Sequence, residues 1–368
     1  MFADAYASET EIENNQSGYV AAKLKQESKR WGASYPGKAL SANRSGAVEL
    51  LYVVDTSGRA AEIVVGSHTN EMFIKQSIKA LKKYRYTPAL RDGKPVDSFM
   101  KNVFTFTGRY LNSKLVNQFD KNYQLFDQEF LKPKPKLELL KKHLKRMNGV
   151  RQANPSMQGV LNYVEMIYAE KYLPLDNQIE TAYVADIYSL GGLSIQKKLE
   201  VKRKLISSLV AAGRYAEAAD IIKSLKVQQF APMVMQGKEA QFEAVIASVG
   251  YLNEYKASIT HLKKSVDLEN GPFAQTINEI EEIKRAGKPF ASTFTISGSG
   301  YILRGLLHDR FTIDEVKGEI NELVFRCKTK FYRMKFSLNQ DYQVPKSWGE
   351  CNLQVNGVAG TQAKLIEG

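Results

Sequence analysis

Residues 47–66 read AVELLYVVDTSGRAAEIVVG, which is two runs of β-forming residues with Thr56-Ser57-Gly58-Arg59 between them. The pattern predicts a β-hairpin, because runs rich in valine, isoleucine and tyrosine favour strands. Gly58 can also adopt the positive φ of a tight turn without steric strain. We therefore assign the first two strands of an N-terminal sheet to this stretch.

A helix is predicted directly after the hairpin. Asn70 can cap a helix that runs from residue 71 to about residue 83, because an asparagine side chain accepts a hydrogen bond from the free N–H groups of a first turn. Ile74, Ile78 and Leu81 recur at the spacing of one helix face. That apolar face should lie against the sheet.

A third strand is predicted after a turn. Pro88 should stop the helix, because proline cannot continue the helical hydrogen bonding. Residues 101–107, KNVFTFT, then read as a strand in which Phe104 and Phe106 share one face and should pack beneath the helix. The predicted order is β-β-α-β, with the helix covering one face of the sheet.

The same residues carry a family resemblance. Residues 35–110 resemble the C-terminal domain of TonB-type energy transducers, in the order and spacing of several short motifs. These motifs are Tyr35-Pro36, Gly46-Ala47-Val48, Val53-Val54-Asp55, Gly58, Tyr84-Arg85-Tyr86-Thr87-Pro88-Ala89, Asp92-Gly93-Lys94-Pro95-Val96 and Val103-Phe104-Thr105-Phe106. We expect a mainly structural role for the motif residues Tyr35, Pro36, Gly46, Gly58 and Pro88. Tyr35-Pro36 favours an extended backbone, and the two glycines relieve strain at turns.

The resemblance implies a peptide-binding strand. The last strand of a three-stranded sheet is an open edge with unpaired N–H and C=O groups. The domain of this family resembles a peptide acceptor, in which a strand from an outer-membrane receptor is added to this edge. The candidate partner-binding edge therefore consists of Asn102, Val103, Phe104, Thr105, Phe106 and Thr107. The implied partners are proteins of the bacterial envelope, such as an outer-membrane receptor or a component of the TonB system, and the implied process is transport.

The chain departs from TonB transducers in three respects. It has neither the N-terminal membrane helix nor the long Pro/Lys/Glu-rich span of those proteins, and about 255 residues follow the resembling domain. We therefore expect protein recognition in the periplasm of a Gram-negative bacterium rather than direct energy transduction. The N-terminus is not a complete signal peptide, and it fits either a mature exported sequence with an added methionine or a cytosolic start.

The remaining sequence predicts an α+β multidomain protein. Its four parts are a lead segment (1–34), the TonB C-terminal-like domain (35–113), a helical domain (114–290) and a β domain (291–368). The helical domain contains a repeat that resembles tetratricopeptide units, since residues 209–222 match residues 252–263 and Tyr215 matches Tyr255. Tyr215 should fill the gap between helices, and an irregular helical bundle is the alternative. The spacing of the predicted strands in the β domain indicates a small sandwich or barrel. These strands are 291–296, 301–307, 319–327, 331–336, 351–356 and 362–366.

The chemistry-bearing residues point away from an enzyme. The two cysteines, Cys327 and Cys351, are too few for a zinc site; they form either a disulfide in an exported protein or free buried thiols in a cytosolic one. No nucleophile elbow, phosphate-binding loop or dinucleotide-binding fingerprint occurs. We therefore expect no catalytic residues, no metal and no cofactor. An enzyme of unrecognised type in the β domain is the remaining alternative.

Charge marks a second candidate site. The chain has a net charge of +13, and residues 132–151 hold eight basic residues against one acid, Glu138. The basic segment consists chiefly of Lys132, Lys134, Lys136, Lys141, Lys142, Lys145 and Arg146. It is either a solvated helix face beside a Pro-spaced linker or a contact for an anionic surface.

We expect a non-enzymatic periplasmic protein–protein interaction factor, with an anionic-polymer or nucleic-acid binding protein as the alternative. Nucleic acid is disfavoured, because no recognition helix accompanies the segment.

Overall fold

The chain forms two compact units. The N-terminal unit contains Gly18–Val96 and Met100–Val201 with Met1–Ser8, and the C-terminal unit is mainly Lys202–Gly368. The computed structural model describes residues 5–6, 18–28, 32–42, 44–107, 113–150, 155–188, 193, 195–227, 274–287, 289–298 and 300–368. The division of the sequence into four parts stays a prediction.

The described residues up to Thr107 include the predicted β-β-α-β module. Its strands are β1 (Ala5–Tyr6), β2 (Tyr19–Val20), β3 (Lys23–Leu24), β4 (Gly46–Val54), β5 (Ala60–His68), β6 (Tyr86–Thr87), β7 (Ala89–Arg91), β8 (Lys94–Val96) and β9 (Ser98–Phe106), and its helices are α1 (Gly37–Ser41) and α2 (Ile74–Leu81). The main sheet has the order β1-β9-β4-β5, and smaller sheets have the orders β2-β7-β8 and β3-β6. The β-β-α-β order of β4, β5, α2 and β9 is confirmed.

The turn between β4 and β5 follows from local side-chain chemistry. The Asp55 carboxylate accepts hydrogen bonds of 2.9 Å from the backbone N–H groups of Ser57 and Arg59. Gly58 has a φ of +77°, and a Cβ atom there would collide with the carbonyl oxygen of Tyr86. The turn therefore requires glycine both for its backbone conformation and for its space.

The core of the module lies between the sheet and α2. Alternate residues of β4 (Val48, Leu50, Tyr52 and Val54) pack there with Phe73, Phe104, Phe106 and Leu81. Asn70 caps the turn Glu71–Phe73 that leads into α2, because its Oδ1 accepts the Met72 N–H at 3.1 Å. The predicted helix thus forms, although it ends at Leu81 and Pro88 instead separates β6 from β7.

Four helices follow in the N-terminal unit. They are α3 (Ser113–Phe130), α4 (Leu137–Gly149), α5 (Pro155–Tyr172) and α6 (Leu175–Ile187). Antiparallel neighbours pack in sequence, α3 on α4, α4 on α5 and α5 on α6. The helical character predicted for this region is confirmed.

Helix α6 covers the second face of the main sheet. All nine residues of β4 are buried, and α6 contacts both β4 and β5. Ala47 packs with Ile187 and Tyr188 at the end of α6, together with Val103 of β9. The predicted cover by α2 on one face is thus joined by a cover on the second face that the sequence analysis did not predict. A strand buried on both faces carries an almost continuous apolar run, as residues 47–54 do.

The described helices of the repeat region leave the predicted repeat unconfirmed. Helix α7 (Ile195–Ala211) is followed by a turn at Gly213 and by α8 (Tyr215–Val227), and α9 (Ala274–Ala286) lies further along the chain. The Tyr215 ring lies edge-on to Phe290, with ring centroids 5.0 Å apart. The second copy of the repeat, residues 252–263, lies outside the described residues.

The C-terminal β domain is a two-sheet sandwich. Its strands are β10 (Phe290–Thr295), β11 (Gly300–Leu303), β12 (Arg310–Lys317), β13 (Ile320–Cys327), β14 (Phe331–Lys335), β15 (Tyr342–Gln343), β16 (Cys351–Gly357) and β17 (Gln362–Glu367). The sheets have the orders β10-β17-β12-β15 and β11-β16-β13-β14. Residues such as Phe311, Leu323, Leu353 and Leu365 form one core between them. Two strands, β12 and β15, are not predicted from the sequence.

Candidate partner-binding strand

Strand β9 is anchored to the module by its aromatic residues. Phe104 and Phe106 are fully buried, and the Phe106 ring stacks on Phe73 at 4.6 Å between centroids. The Phe104 ring lies 5.9 Å from that of Tyr84. Large buried aromatic side chains contribute strongly to a small core. This packing fixes the position of the β9 backbone.

The side of β9 away from β4 is not an open edge. Strand β1 pairs with β9 in the antiparallel direction, with Ala5 across from Phe104 and Tyr6 across from Val103. The expectation of an open edge at residues 102–107 is therefore corrected at these two positions. Two residues of strand carry no recognisable sequence pattern, and their pairing partner lies about a hundred residues away, so local sequence reasoning could not find this contact.

The other predicted edge residues differ in exposure. Val103 and Thr105 are half-buried, and Thr107 is exposed. Asn102 is buried, and its Nδ2 atom has no hydrogen-bond partner among the described residues. Buried side-chain donors are seldom left unpaired in folded proteins. Asn102 is buried like Phe104 and Phe106, which lie on the same face of β9.

The motif residues serve the fold around β9. The Tyr35 ring meets Phe106 edge-on at 5.8 Å, and its hydroxyl donates to the carbonyl oxygen of Arg44. Burial raises the pKa of Tyr35 to about 12, so the hydroxyl stays a donor at neutral pH. Pro36 is extended, with φ −63° and ψ 134°, directly before α1. A Cβ atom at Gly46 would collide with the Phe73 ring.

The basic segment lies at the junction of α3 and α4. All seven of its named basic residues are exposed. Lys132 donates to Glu129 at 2.6 Å, and the Glu129 carboxylate also accepts the backbone N–H of Lys136 at 2.7 Å. The hydrogen bond from Lys132, then that from Lys136, lowers the pKa of Glu129. This carboxylate therefore holds the linker at the start of α4.

A groove of about 640 Å³ lies between α3 and α4 beside the basic segment. Its lining includes apolar Leu115, Leu125 and Val150 and the two basic residues Lys121 and Arg146. Under α4, burial, followed by the positive charges of Arg146 and Lys142, lowers the pKa of His143. The neighbouring positive charges of Arg146 and Lys142 favour anions at this surface.

The two cysteines are joined in the C-terminal sandwich. Cys327 on β13 and Cys351 on β16 are directly opposite each other in the strand register, and they form a disulfide that closes a separation of 24 residues. Both residues are buried. The structure thus contains the disulfide form of the two alternatives that the sequence leaves open.

Comparison with known families agrees with the geometry of the module. Residues 32–107 match the family described as Gram-negative bacterial TonB protein C-terminal. No curated protein is a match for this chain. Among the helices of the described residues, none has the length and apolar character needed to cross a membrane. Domains of the matched family are non-enzymatic and bind envelope or outer-membrane proteins. Residues 32–107 are therefore a TonB C-terminal-like module within a longer chain.

Proposed function

We propose that the chain is a non-enzymatic periplasmic protein–protein interaction factor, in which β9 accepts an extended strand from an envelope partner. The observation that carries the proposal is the family match over residues 32–107, which includes β9. The partner is an outer-membrane receptor or a component of the TonB system, and the helical region holds a second partner.

The backbone of β9 supports this role. Strand addition uses main-chain N–H and C=O groups at the side of a sheet, and alternate side chains provide specificity. The antiparallel pairing of β1 at Val103 and Phe104 indicates that this side of β9 is compatible with an added strand.

The disulfide supports an exported location. Disulfides persist in oxidising compartments such as the bacterial periplasm and are rare in the cytosol. The Cys327–Cys351 bond joins neighbouring buried strands. The proposed location is therefore the periplasm of a Gram-negative bacterium.

Site-specific photo-crosslinking in the native envelope tests the proposal. A photoreactive amino acid should capture an envelope protein when it replaces exposed Thr107, in the partner-binding edge, or exposed Lys101, next to that edge. The same amino acid at Lys94, which is exposed on β8 of a different sheet, is the matched control. Capture at all three positions alike, or capture of cytosolic proteins alone, would contradict the proposal.

A second candidate function is the binding of an anionic surface by the basic segment. The specific observation in its favour is that all seven basic residues are exposed. One of them, Arg146, also lines the groove together with Lys121. A basic residue close to an anionic membrane surface contributes up to about 1 kcal/mol of binding energy.

Charge reversal tests the second candidate. Lys142→Glu with Arg146→Glu should abolish sedimentation with vesicles of 30% phosphatidylglycerol in phosphatidylcholine, at low salt, where the surface attraction is strongest. Lys75→Glu with Lys79→Glu, also four residues apart and exposed on α2, is the control with equal charge change. Equal loss in both variants would assign the binding to net charge alone, and no binding by the unmodified chain would eliminate the candidate.

A further inference from the structure

The N-terminal strand occupies the surface that the proposed function assigns to a partner. In the order β1-β9-β4-β5, β1 lies on β9 where an added strand would lie. Its register places Ala5 across from Phe104 and Tyr6 across from Val103, inside the candidate edge of residues 102–107. A partner strand that paired with these residues would therefore compete with β1.

The charge of the N-terminal segment provides a second observation. The first 22 residues contain four carboxylates, Asp4, Glu9, Glu11 and Glu13, and no lysine or arginine, although the whole chain has a net charge of +13. Opposite charge draws a tethered acidic segment toward a basic molecule. The segment is thus suited to return to its own chain after release.

Covalent connection strengthens this return. Eleven residues separate Tyr6 from Gly18 at the start of the next described stretch. A tether of this length gives a segment an effective concentration on the order of millimolar. Two paired residues alone make a weak contact, because isolated two-stranded pairings are marginal in water. A tethered but short strand can hold the site and still be displaced by a longer one.

From these observations, and resting on the proposed function, we infer that the segment around Ala5–Tyr6 is an internal competitor for the partner strand. It regulates access to β9 by occupying Val103 and Phe104 in cis. It also sets the orientation of the site, so that the displacing partner strand runs antiparallel to β9. Binding of an envelope protein then proceeds by exchange of one strand for another.

A peptide of residues 1–12 of this chain is the probe for the test. The peptide, labelled with a fluorophore, should bind a variant that lacks residues 1–17 at least about tenfold more tightly than it binds the full chain, since the full chain carries its own tethered copy. Equal affinity for the two proteins would overturn the inference, as would the absence of binding to the truncated variant.

A single substitution in the full chain shows whether the effect of the truncation comes from the loss of β1 pairing or from misfolding. Tyr6→Pro removes a backbone N–H and fixes φ, which disfavours strand pairing. It should increase amide hydrogen exchange at residues 103–105 and raise peptide affinity, whereas Glu13→Pro, outside the described pairing, should change neither. Unchanged exchange in Tyr6→Pro, or the same increase in both variants, would contradict cis occupancy.

The photo-crosslinking experiment separates this inference from the proposed function. If the truncated variant binds the peptide but no envelope protein is captured at Lys101 or Thr107, the pairing of β1 with β9 in cis holds, while the proposed function and the competition with a partner strand both fail. If envelope proteins are captured equally by the full chain and the truncated variant, the proposed function holds and internal competition is overturned.

Discussion

The two β regions of the molecule differ in how their strands are held. In the C-terminal sandwich, β16 and β17 alternate between buried and more exposed residues, and a disulfide joins β13 to β16. In the N-terminal module, β4 is buried on both faces, while β9 is paired by β1 at only two residues. The sandwich strands are fixed by a covalent bond and a complete core. Among the described residues, β9 is closed on its side away from β4 by this short, non-covalent contact, and this is the region where binding is proposed.

The largest predicted effect tests the anchoring of β9. Phe104→Ala should lower the free energy of unfolding of the N-terminal unit by about 3–5 kcal/mol, the range for removing a fully buried phenylalanine ring. Hydrogen exchange of peptides that cover β4 would measure the loss. Thr107→Ala, at the exposed end of the same segment, should change it little. If both variants lose the same stability, β9 is not anchored by its aromatic core.

The disulfide provides the second test of the comparison. Cys327→Ala with Cys351→Ala should lower the free energy of unfolding of the C-terminal unit by about 3.5 kcal/mol, since the bond closes a loop of roughly 25 residues in the unfolded chain. In a Trp31→Phe background, the fluorescence of Trp348 reports on this unit, because its ring lies 6.1 Å from that of Phe325. Hydrogen exchange of β4 should not change. Matching losses in both units would contradict separate stabilisation.

The sequence predicted the parts of the fold that depend on local patterns. The hairpin around Gly58 was predicted because the turn needs a positive φ, and the predicted sandwich strands begin and end near turn residues. Strand β12 was missed because a bulge between Asp314 and Lys317 interrupts its alternation. The cover of α6 over β4 was missed, although the run of residues 47–54, which is apolar except for Glu49, indicated it.

The candidate site was less accessible to sequence reasoning. Residues 102–107 were assigned through the family resemblance, which carries the position of the strand but not what lies against it. The pairing of Ala5–Tyr6 with β9 depends on contacts distant in sequence, and no periodicity in two residues encodes it. Exposure of the basic segment, in contrast, followed from its composition, since lysine is rarely buried.

Two buried glutamates predict a similar pH dependence in the two units. Burial raises the pKa of Glu367 to about 7 from an ordinary 4.5, against the opposing effect of N–H bonds from His308 and Leu307. Burial likewise raises the pKa of Glu165 to about 7. Each folded unit therefore binds a proton more tightly than its unfolded chain does. The stability that this protonation contributes is fully present below pH 4.5. It is lost as the pH rises through 7, by at most about 3 kcal/mol for each group.

Glutamine substitutions would assign this dependence to each unit. Glu367→Gln should flatten the decrease for the C-terminal unit, measured by Trp348 fluorescence in urea from pH 4.5 to 8. Glu165→Gln should flatten it for the N-terminal unit, measured by hydrogen exchange of β4. A decrease that persists in the unit that carries the substitution would show that another group titrates there.

The smallest predicted effect concerns the cap of α2. Asn70→Ala removes the acceptor of the Met72 N–H and should cost about 1 kcal/mol of stability in the N-terminal unit. Asn70→Asp retains a capping oxygen and adds a negative charge at a helix start, so it should preserve stability. Because Phe73, in the capped turn, stacks on Phe106 of β9, the alanine variant should also increase hydrogen exchange at residues 103–105, without altering Trp348 fluorescence. If the aspartate variant is as unstable as the alanine variant, the side chain of Asn70 acts through another contact. If hydrogen exchange at β9 does not change, the aromatic residues hold the strand independently of the helix cap. The difference between the fixed sandwich and the exchangeable contact at β9 then depends on the pairing with β1 alone.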